Sequence, residues 1–235
     1  MLAGVSPMLT GRVVRSGERE AGFEAVEARD LWKRFGATIA LRGLSARFGA
    51  GTITVVVGPN GAGKSTLMSI LAGLARPSRG SVRYAPFGVG PENVRGRVGW
   101  VGHESYCYPA LSVRENVELA ARMHGVEAAG AWERVAARFD LAALAKRRCG
   151  TLSRGQLQRA ALGRGLVHGP GLVLLDEPWT GLDTASARRL DEVVCEERDR
   201  GAVVVVISHD AGTTERLGGT QLRLERGAVV EMSAA

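Results

Sequence analysis

The stretch that decides the fold is Gly58-Pro59-Asn60-Gly61-Ala62-Gly63-Lys64-Ser65-Thr66, which follows the β-branched run Thr52–Val57. A glycine, four residues and then Gly-Lys-Ser form the phosphate-loop pattern, and here it lies between a buried strand and the start of a helix. The glycines let successive N–H groups point at a phosphate, and the positive end of the helix dipole adds to their effect. We expect Lys64 to reach the β- and γ-phosphates of a nucleotide and Ser65 to ligate Mg²⁺.

A second cluster of candidate residues stands at the end of the hydrophobic strand Leu172–Asp176. The carboxylate of Asp176 is suited to hold Mg²⁺ through water at the carboxyl edge of a sheet. Glu177 comes next, and a carboxylate near a γ-phosphate can act as the general base that polarises an attacking water. An acidic strand end alone is ordinary, but after a phosphate loop it predicts nucleotide hydrolysis.

Strands and helices alternate along most of the chain. We predict strands over Glu24–Leu31, near Leu44–Phe48, and over Thr52–Val57, Leu172–Asp176 and Val203–Ser208, helices over Lys64–Leu74 and Ala185–Arg200, and a closing hairpin over Thr220–Glu231. Strands that alternate with helices indicate a parallel sheet flanked by helices, and therefore an α/β fold.

Two segments depart from this alternation. Residues 112–148 are dense in Ala, Leu, Glu and Arg with helical periodicity, broken at Gly125 and Gly130, so we predict an inserted helical subdomain. Residues 1–22 are rich in Gly, Ser, Glu and Arg and show little periodicity, so we predict a mobile leader there. The folded domain is then expected over residues 23–235.

The composition limits the class of protein. With 235 residues, 45% of them hydrophobic and 23% charged, the chain suits a globular domain. Its apolar runs, such as Ala202–Ile207, are far shorter than the ~20 residues of a membrane-spanning helix. Residues 1–20 lack the apolar core and cleavage site of a secretory signal. We therefore expect a cytoplasmic protein.

Charge and cysteine content exclude further classes. The net charge is +7, mostly from scattered arginines, which favours a solvated surface close to a membrane over binding of nucleic acid. The three cysteines, Cys107, Cys149 and Cys195, are far apart in the sequence and have no C-x-x-C spacing. We therefore expect three reduced thiols rather than a disulfide framework or a zinc site.

Further motifs carry a family resemblance. The stretch Leu152-Ser153-Arg154-Gly155-Gln156 resembles the signature loop of ABC ATPases, whose usual form is Leu-Ser-Gly-Gly-Gln, and it precedes the Asp-Glu strand as in that family. The segment Gly181-Leu182-Asp183 resembles the family's D-loop, His209 its switch histidine, and Phe35 the aromatic residue that stacks on adenine. The resemblance runs from about residue 23 to residue 232 in the family's order and spacing.

The resemblance implies a fold and an assembly. The fold would be a P-loop NTPase with a RecA-like core, an N-terminal antiparallel β subdomain and an inserted ABC α-helical subdomain at about residues 104–168. ABC ATPases work as head-to-tail pairs in which each ATP lies between one subunit's phosphate loop and the other's signature loop. Ser153, Gly155 and Gln156 would then contact the partner's nucleotide, and Asp183 would link the two sites. His209 would hold the γ-phosphate and orient Glu177 and water.

The resemblance also implies cofactors and partners. ATP and Mg²⁺ would bind a pair of identical subunits that dock on separate integral membrane permease chains at the cytoplasmic face of the cell membrane. ATP would join the two subunits, and hydrolysis would release them. No nucleic acid partner is implied.

Two residues depart from the family pattern. Arg154 stands where the signature loop usually has glycine, and its side chain is tolerated there if it points away from the phosphate. His103 occupies the place of the Q-loop glutamine, which in the family links Mg²⁺ and the attacking water to the permease. A neutral imidazole hydrogen-bonds water but ligates Mg²⁺ less well than an amide oxygen. His103 is therefore either a tolerated substitution or a residue that alters coupling to the permease.

The substitution at His103 narrows the choice of transporter. Residues 102–105 (Gly-His-Glu-Ser), with Tyr108–Asn116 after them, resemble the haem-exporter ATPases of cytochrome c maturation, in which histidine commonly replaces that glutamine. An ATPase of another exporter, moving drugs, lipids or polysaccharide, is the alternative.

ABC ATPases that serve DNA repair or translation form a further class. Repair types insert a long coiled coil between the phosphate and signature loops, whereas only some ninety residues without sustained heptads stand here. Translation types usually carry two nucleotide domains in one chain, and this chain has one copy of each motif. The signature loop argues against a nucleotide kinase. Transport is the favoured function.

Overall fold

The computed structural model describes residues 22–210 and 212–234. Except for Gly22, the leader predicted for residues 1–22 lies outside these ranges. In the described part the strands are β1 (Ala25–Phe35), β2 (Thr38–Gly49), β3 (Thr52–Val57), β4 (Arg79–Ala85), β5 (Gly88–Val89), β6 (Val98–Val101), β7 (Leu172–Asp176), β8 (Val203–Ile207), β9 (Thr220–Glu225) and β10 (Ala228–Ala234). The α-helices are α1 (Lys64–Leu71), α2 (Val113–Met123), α3 (Ala128–Arg138), α4 (Arg154–Leu166), α5 (Thr184–Asp199) and α6 (Thr213–Leu217).

The N-terminal strands form an antiparallel sheet of four strands in the order β2-β1-β4-β5. Strand β1 pairs with β2 on one side and with β4 on the other, both antiparallel. The antiparallel β subdomain that the family resemblance implied is confirmed.

The second sheet has six strands in the order β10-β9-β3-β8-β7-β6. Neighbouring strands from β9 to β6 run parallel, and β10 closes the sheet antiparallel to β9. Every residue of β7 and β8 is buried, as expected for parallel strands covered on both faces. The predicted parallel sheet flanked by helices is confirmed, with an antiparallel edge strand.

Each face of this sheet packs on a different layer. Because successive side chains of a strand point to opposite faces, Val173 and Leu175 join a core with residues of α2 to α5. Leu172 and Leu174 join a second core with α1 and the antiparallel sheet. The parallel sheet is thus the middle layer of three.

The helical block, which comprises α2, α3 and α4, begins its first and last helices at well-defined caps. Ser112 caps α2 and Ser153 caps α4, and each forms a reciprocal capping box with a side chain three residues later.

The helix after the phosphate loop, α1, ends at Leu71, before the predicted Leu74. The backbone turns at Gly73, whose φ of +72° ends a helix without steric cost.

The topology gathers the sequence motifs at one edge. Strands β3, β8, β7 and β6 are parallel neighbours, so their carboxyl ends lie side by side. The residues that follow these ends are Gly58, Ser208, Glu177 and Gly102. This edge is where open α/β sheets bind their ligands.

Among the described residues, the structure contains no helix with the length and apolar character needed to cross a membrane.

Candidate functional site

The phosphate loop connects β3 to α1 and curls around its own lysine. The ammonium of Lys64 donates hydrogen bonds to the carbonyl oxygens of Gly58 at 2.7 Å and Pro59 at 3.1 Å. The side chain is 7% exposed. A cation is therefore fixed inside the loop, next to the backbone N–H groups at the start of α1.

Glycines let the loop pass close to two other elements. At Gly58, with φ of +141°, an added Cβ would overlap the carbonyl oxygen of Leu224 at the end of β9. At Gly63, which precedes α1 with φ of +100°, it would lie 2.6 Å from the carbonyl oxygen of Ala40 in β2. The loop is thus held between the two sheets.

Phe35 ends β1 and pairs with Thr38, at the turn that leads into β2. Its ring is 55% exposed, and the ammonium of Lys33 lies 4.8 Å from the ring centre. The stacking of Phe35 on adenine, which the resemblance implied, stays a prediction.

Asp176, Glu177 and His209 meet at the carboxyl ends of β7 and β8. Asp176 is 8% exposed, and the backbone N–H of Glu177 donates to the carbonyl oxygen of Ile207 at 3.1 Å. One carboxylate oxygen of Glu177 lies 3.0 Å from Nε2 of His209. That oxygen is shielded from solvent, and no hydrogen bond reaches it in the described part of the structure. The two atoms are close, but their geometry is not that of a hydrogen bond.

The surroundings of Glu177 change its acidity. Burial is the largest effect and raises the pKa of Glu177 above its ordinary value, and the charge of Asp176 acts in the same direction. The charges of His209 and Lys64 and the backbone N–H of His209 lower the pKa, and the net shift is upward. A carboxylate with a raised pKa is a better proton acceptor, which suits a general base.

The signature loop is organised as a helix start. The hydroxyl of Ser153 accepts the backbone N–H of Gln156 at 3.3 Å, and the Gln156 side chain accepts the backbone N–H of Ser153 at 3.1 Å. Arg147 donates to the same Gln156 oxygen at 3.2 Å. Within the described ranges, no acceptor is bonded to the Ser153 hydroxyl hydrogen or to the Gln156 amide nitrogen, so both are available as donors.

The signature loop is attached to the segment that follows Glu177. Gln158 donates its side-chain N–H to the carbonyl oxygen of Pro178 at 3.1 Å. A Cβ on Gly155 would lie 2.5 Å from the carbonyl oxygen of Gly181, and one on Gly181 would lie 3.0 Å from Cγ of Arg154. The Arg154 side chain thus covers the D-loop of its own chain.

Asp183 has a local structural role in the D-loop. Its carboxylate accepts the backbone N–H of Ser186 at 2.8 Å and caps α5. That hydrogen bond is the main reason why the pKa of Asp183 lies below its ordinary value. The link between two nucleotide sites, which the resemblance implied for Asp183, stays a prediction.

His103 joins the two carboxylates at a small cavity. The cavity has a volume of about 100 Å³ and is lined by Gly102, His103, Ser105, Arg154, Leu157, Gln158, Asp176, Glu177 and Thr180. The exposed His103 and the exposed Arg154 are therefore close to the acidic pair. The structure places the Q-loop position beside the candidate general base.

Sequence reasoning missed Arg147 and Gln158, which position the signature loop. Both act through partners distant in sequence or through backbone carbonyl oxygens, and neither belongs to a recognisable spacing. The sequence carries no signal for them.

Comparison with known proteins identifies the family to which this chain is similar. The model of the ABC transporter family matches residues 41–180. The cytochrome c biogenesis ATP-binding export protein CcmA 2 of Cupriavidus metallidurans is 38% identical over 187 residues, which cover 78% of this chain and 89% of that protein. The pyoverdine export ATP-binding/permease protein PvdT of Pseudomonas putida is 34% identical over 226 residues, covering 89% of this chain and 34% of that protein.

Solved structures share the fold. A structure described as the ATP-binding subunit of an ABC transporter superposes with a TM-score of 0.82 at 26% identity, covering 89% of each chain. A dimeric, post-hydrolysis ATP-binding cassette, MJ0796 bound to ADP and Pi, superposes with a TM-score of 0.81 at 24% identity, covering 89% of this chain and 98% of that one.

Proposed function

Because the chain belongs to the ABC transporter family and is one of its ATP hydrolases, we propose that it powers export through separate permease chains, with haem for cytochrome c biogenesis as the cargo. The observation that carries the proposal is the 38% identity to a cytochrome c biogenesis ATP-binding export protein along 89% of its length. His103 at the Q-loop position agrees with the resemblance to haem-exporter ATPases.

A second cargo class has its own support. The pyoverdine exporter protein aligns with 89% of this chain, although this chain spans about a third of its length. The ATP-hydrolysing core would be the same in such an exporter. The permease would then set the cargo.

The residues of the site suit ATP and Mg²⁺. The residues Gly58 to Thr66 would bind the phosphates and Phe35 would stack on adenine. The Ser65 hydroxyl and, through water, the Asp176 carboxylate would hold Mg²⁺, because a hard cation prefers oxygen ligands. Mg²⁺ would neutralise charge on the phosphates.

Hydrolysis follows from the positions of the protein groups. Lys64, fixed inside the loop, would hold the β- and γ-phosphates. Glu177 would accept the proton of the attacking water at its carboxylate, and the raised pKa makes it an effective acceptor. His209, 3.0 Å from that carboxylate, would bind the γ-phosphate and orient Glu177.

The full site requires a second subunit. The signature loop lies at the start of α4 and offers hydrogen-bond donors that would bind the γ-phosphate of the partner's ATP. It consists of Leu152, Ser153, Arg154, Gly155 and Gln156. The bound ATP would join the subunits at the cytoplasmic face of the membrane, and hydrolysis would separate them. The coupled D-loop and signature loop of each chain would move together.

The first test is Glu177→Gln. Removing the proton acceptor leaves the phosphate loop intact, so we expect ATP binding to persist while turnover falls by ~10²–10⁴-fold. The variant should form dimers when ATP is added, as measured by light scattering. Turnover close to that of the unmodified protein would remove Glu177 from its role as base.

The cargo is tested in cells that lack the native gene. We expect c-type cytochromes, detected by haem staining of membrane proteins, to disappear and to return with the unmodified gene. The matched control is Glu177→Gln, which should fold but not restore them. Normal c-type cytochromes in the deleted cells would reject haem export while leaving the ATPase assignment standing.

A further inference from the structure

One arginine joins the segment that carries His209 to helix α5. Nε of Arg216 in α6 lies 2.9 Å from a carboxylate oxygen of Asp191 in α5, and its Nη1 donates to the carboxylate of Asp210 at 2.8 Å. Asp210 directly follows His209 in the chain. The arginine therefore ties the segment after β8 to the middle of α5.

A tryptophan extends this link to the segment that carries Glu177. Trp179, two residues after Glu177, donates its indole N–H to the other carboxylate oxygen of Asp191 at 2.9 Å. The guanidinium carbon of Arg216 lies 5.5 Å from the centre of the Trp179 ring, within the range of a cation–π contact. The indole is partly buried against the hydrophobic core that α2 to α5 share with the parallel sheet. Asp191 thus holds the tryptophan through one oxygen and the arginine through the other.

Buried hydroxyl groups fix the His209 end of this link. The carboxylate of Asp210 accepts a hydrogen bond from the hydroxyl of Thr213 at 3.2 Å, and that hydroxyl lies 2.9 Å from the hydroxyl of Ser208. The backbone N–H of Asp210 donates to the Ser208 hydroxyl at 3.1 Å. Ser208 and Thr213 are both buried. The residues on either side of His209 are therefore held by the same set of contacts.

We propose that four side chains, here called the Arg216 network, are positioning residues for ATP hydrolysis: Trp179, Asp191, Arg216 and Asp210. They would act through Glu177 and His209, by fixing the separation of the two segments that carry these residues. The inference rests on the roles that the proposed function gives to Glu177 and His209.

The direct contact between Glu177 and His209 does not fix their separation. Their side chains are 3.0 Å apart without the geometry of a hydrogen bond. The backbone bond from the N–H of Glu177 to Ile207 ties the two segments where they leave the sheet. The Arg216 network ties them a second time, two residues after Glu177 and one residue after His209. The candidate base and the switch histidine thus lie between two fixed points.

Arginine is suited to this position by its shape. Its planar guanidinium presents donors in fixed directions, and here Nε faces Asp191 while Nη1 faces Asp210. Lysine carries its charge at one point and would hold one carboxylate less rigidly to the other. The side chain of Arg216 is 40% exposed, and exposed ion pairs contribute little to stability. We therefore expect the network to affect the geometry of the site more than the folding of the chain.

The test separates ATP turnover from ATP binding. Arg216→Gln removes the cation but leaves the phosphate loop and Phe35 intact, so the affinity for ATP, measured by equilibrium dialysis, should be unchanged. We expect kcat per bound ATP to fall by ~10-fold or more, because a displacement of about 1 Å in a catalytic site can cost as much as 10²-fold. Arg216→Lys should recover part of the lost kcat.

Arg114 offers a matched control in the helical block. It pairs with Glu118 at 2.6 Å and lies 5.8 Å from the ring centre of Trp132, so it also combines a carboxylate with a tryptophan. Arg114→Gln should keep the kcat of the unmodified protein. An equal loss of kcat in this control and in Arg216→Gln would overturn the proposal.

A double variant tests whether the tryptophan acts through the same network. Trp179→Phe keeps a packed ring but removes the N–H donor, so kcat should fall. With both substitutions in one chain, kcat should be little lower than in Arg216→Gln alone, since the link is already broken. Losses that multiply would show independent effects and would reject a shared network.

Glu177→Gln, measured beside these variants, separates this inference from the proposed function. Low turnover in Glu177→Gln with unchanged kcat in Arg216→Gln would overturn the positioning role alone. A parallel loss of ATP binding and turnover in Arg216→Gln would also overturn it, because the substitution would then act on folding. Normal turnover in Glu177→Gln would remove the base from the proposed function, and with it the residue that the network positions.

Discussion

At the residue scale, Glu177 shows how the site is built. Its φ of +51° is a left-handed backbone conformation that side-chain-bearing residues rarely adopt. Such strain persists only where surrounding contacts hold it, and here the N–H of Glu177 is bonded to Ile207. With this turn, the carboxylate of Glu177 lies 3.0 Å from Nε2 of His209. The sequence predicts the acidic pair, but it does not predict this turn.

His103 is the residue whose chemistry differs most from the family pattern. We expect His103→Gln to preserve ATP hydrolysis by the isolated chain, because both side chains can hydrogen-bond water. An amide oxygen ligates Mg²⁺ better than an imidazole, so stimulation of turnover by the permease should change. The measurement is ATP turnover with and without the reconstituted permease.

A matched variant separates this effect from simple loss of the side chain. His103→Ala should lower the permease-stimulated rate, since it removes the imidazole that lines the cavity beside Glu177. Equal stimulation in the unmodified protein and both variants would mean that His103 has no part in coupling.

At the element scale, some turns and strands can be predicted from local sequence, whereas others are defined by pairing with distant strands. The hairpin around Arg226-Gly227 is predictable because both residues adopt positive φ in a tight turn, which glycine favours. Strand β6 has four residues, includes Gly99, and is defined by its pairing with the distant β7. Strand β4 buries only Val82 and Tyr84. Such strands depend on partners that no local pattern reveals.

A pair of histidines joins two elements of the helical block. His124 follows α2 and His168 follows α4, and their rings stack with centroids 3.7 Å apart. Burial, together with the charge of His124 and of Arg200, lowers the pKa of His168 to about 3. Burial, with the charge of Arg164, also lowers the pKa of His124, and the carbonyl oxygens of Gly96 and Val98 oppose these shifts.

These shifts predict how stability depends on pH. Between about pH 6.5 and 3, His168 binds a proton in the unfolded chain but not in the folded one. Its contribution to folding stability is therefore complete above pH 6.5 and decreases as pH falls, and His124 acts in the same direction. We expect the free energy of unfolding in urea to drop from pH 7 to pH 5 by at most about 1.4 kcal/mol per pH unit and histidine. His168→Phe keeps a stacking ring without a titrating group and should flatten the dependence. An identical slope in that variant would reject the assignment.

At the scale of the whole molecule, the fold brings the candidate catalytic residues together, whereas Ser153 of the signature loop is exposed. Strand order places Lys64, Asp176, Glu177 and His209 at one edge of the parallel sheet, a sheet that the alternation of strands and helices predicted. The donors of Ser153 and Gly155 belong to a helix start whose ligand is not set by local sequence. Only the family resemblance assigned them to a partner's nucleotide, because the sequence of one chain does not encode the geometry between two.

If each nucleotide site combines the phosphate loop of one chain with the signature loop of its partner, two inactive variants should complement each other. Lys64→Ala removes the cation of the phosphate loop. Ser153→Asp keeps a good helix cap but places a negative charge where a γ-phosphate would bind. In a head-to-tail pair of one variant with the other, one site carries both substitutions and the second site carries neither. Random mixing makes half of the dimers mixed, so we expect about a quarter of the unmodified turnover if the sites act independently.

The experiment compares ATP turnover of each variant alone with that of an equimolar mixture, after circular dichroism confirms that both fold. Ser153→Asn is the matched control, because it caps the helix equally well without the charge and should be more active alone than Ser153→Asp. If each site were completed within one chain, mixing would leave turnover at the average of the two variants measured separately at the same total protein concentration. A mixture no more active than its components would therefore reject the shared site, because the same two substitutions would then act on independent subunits.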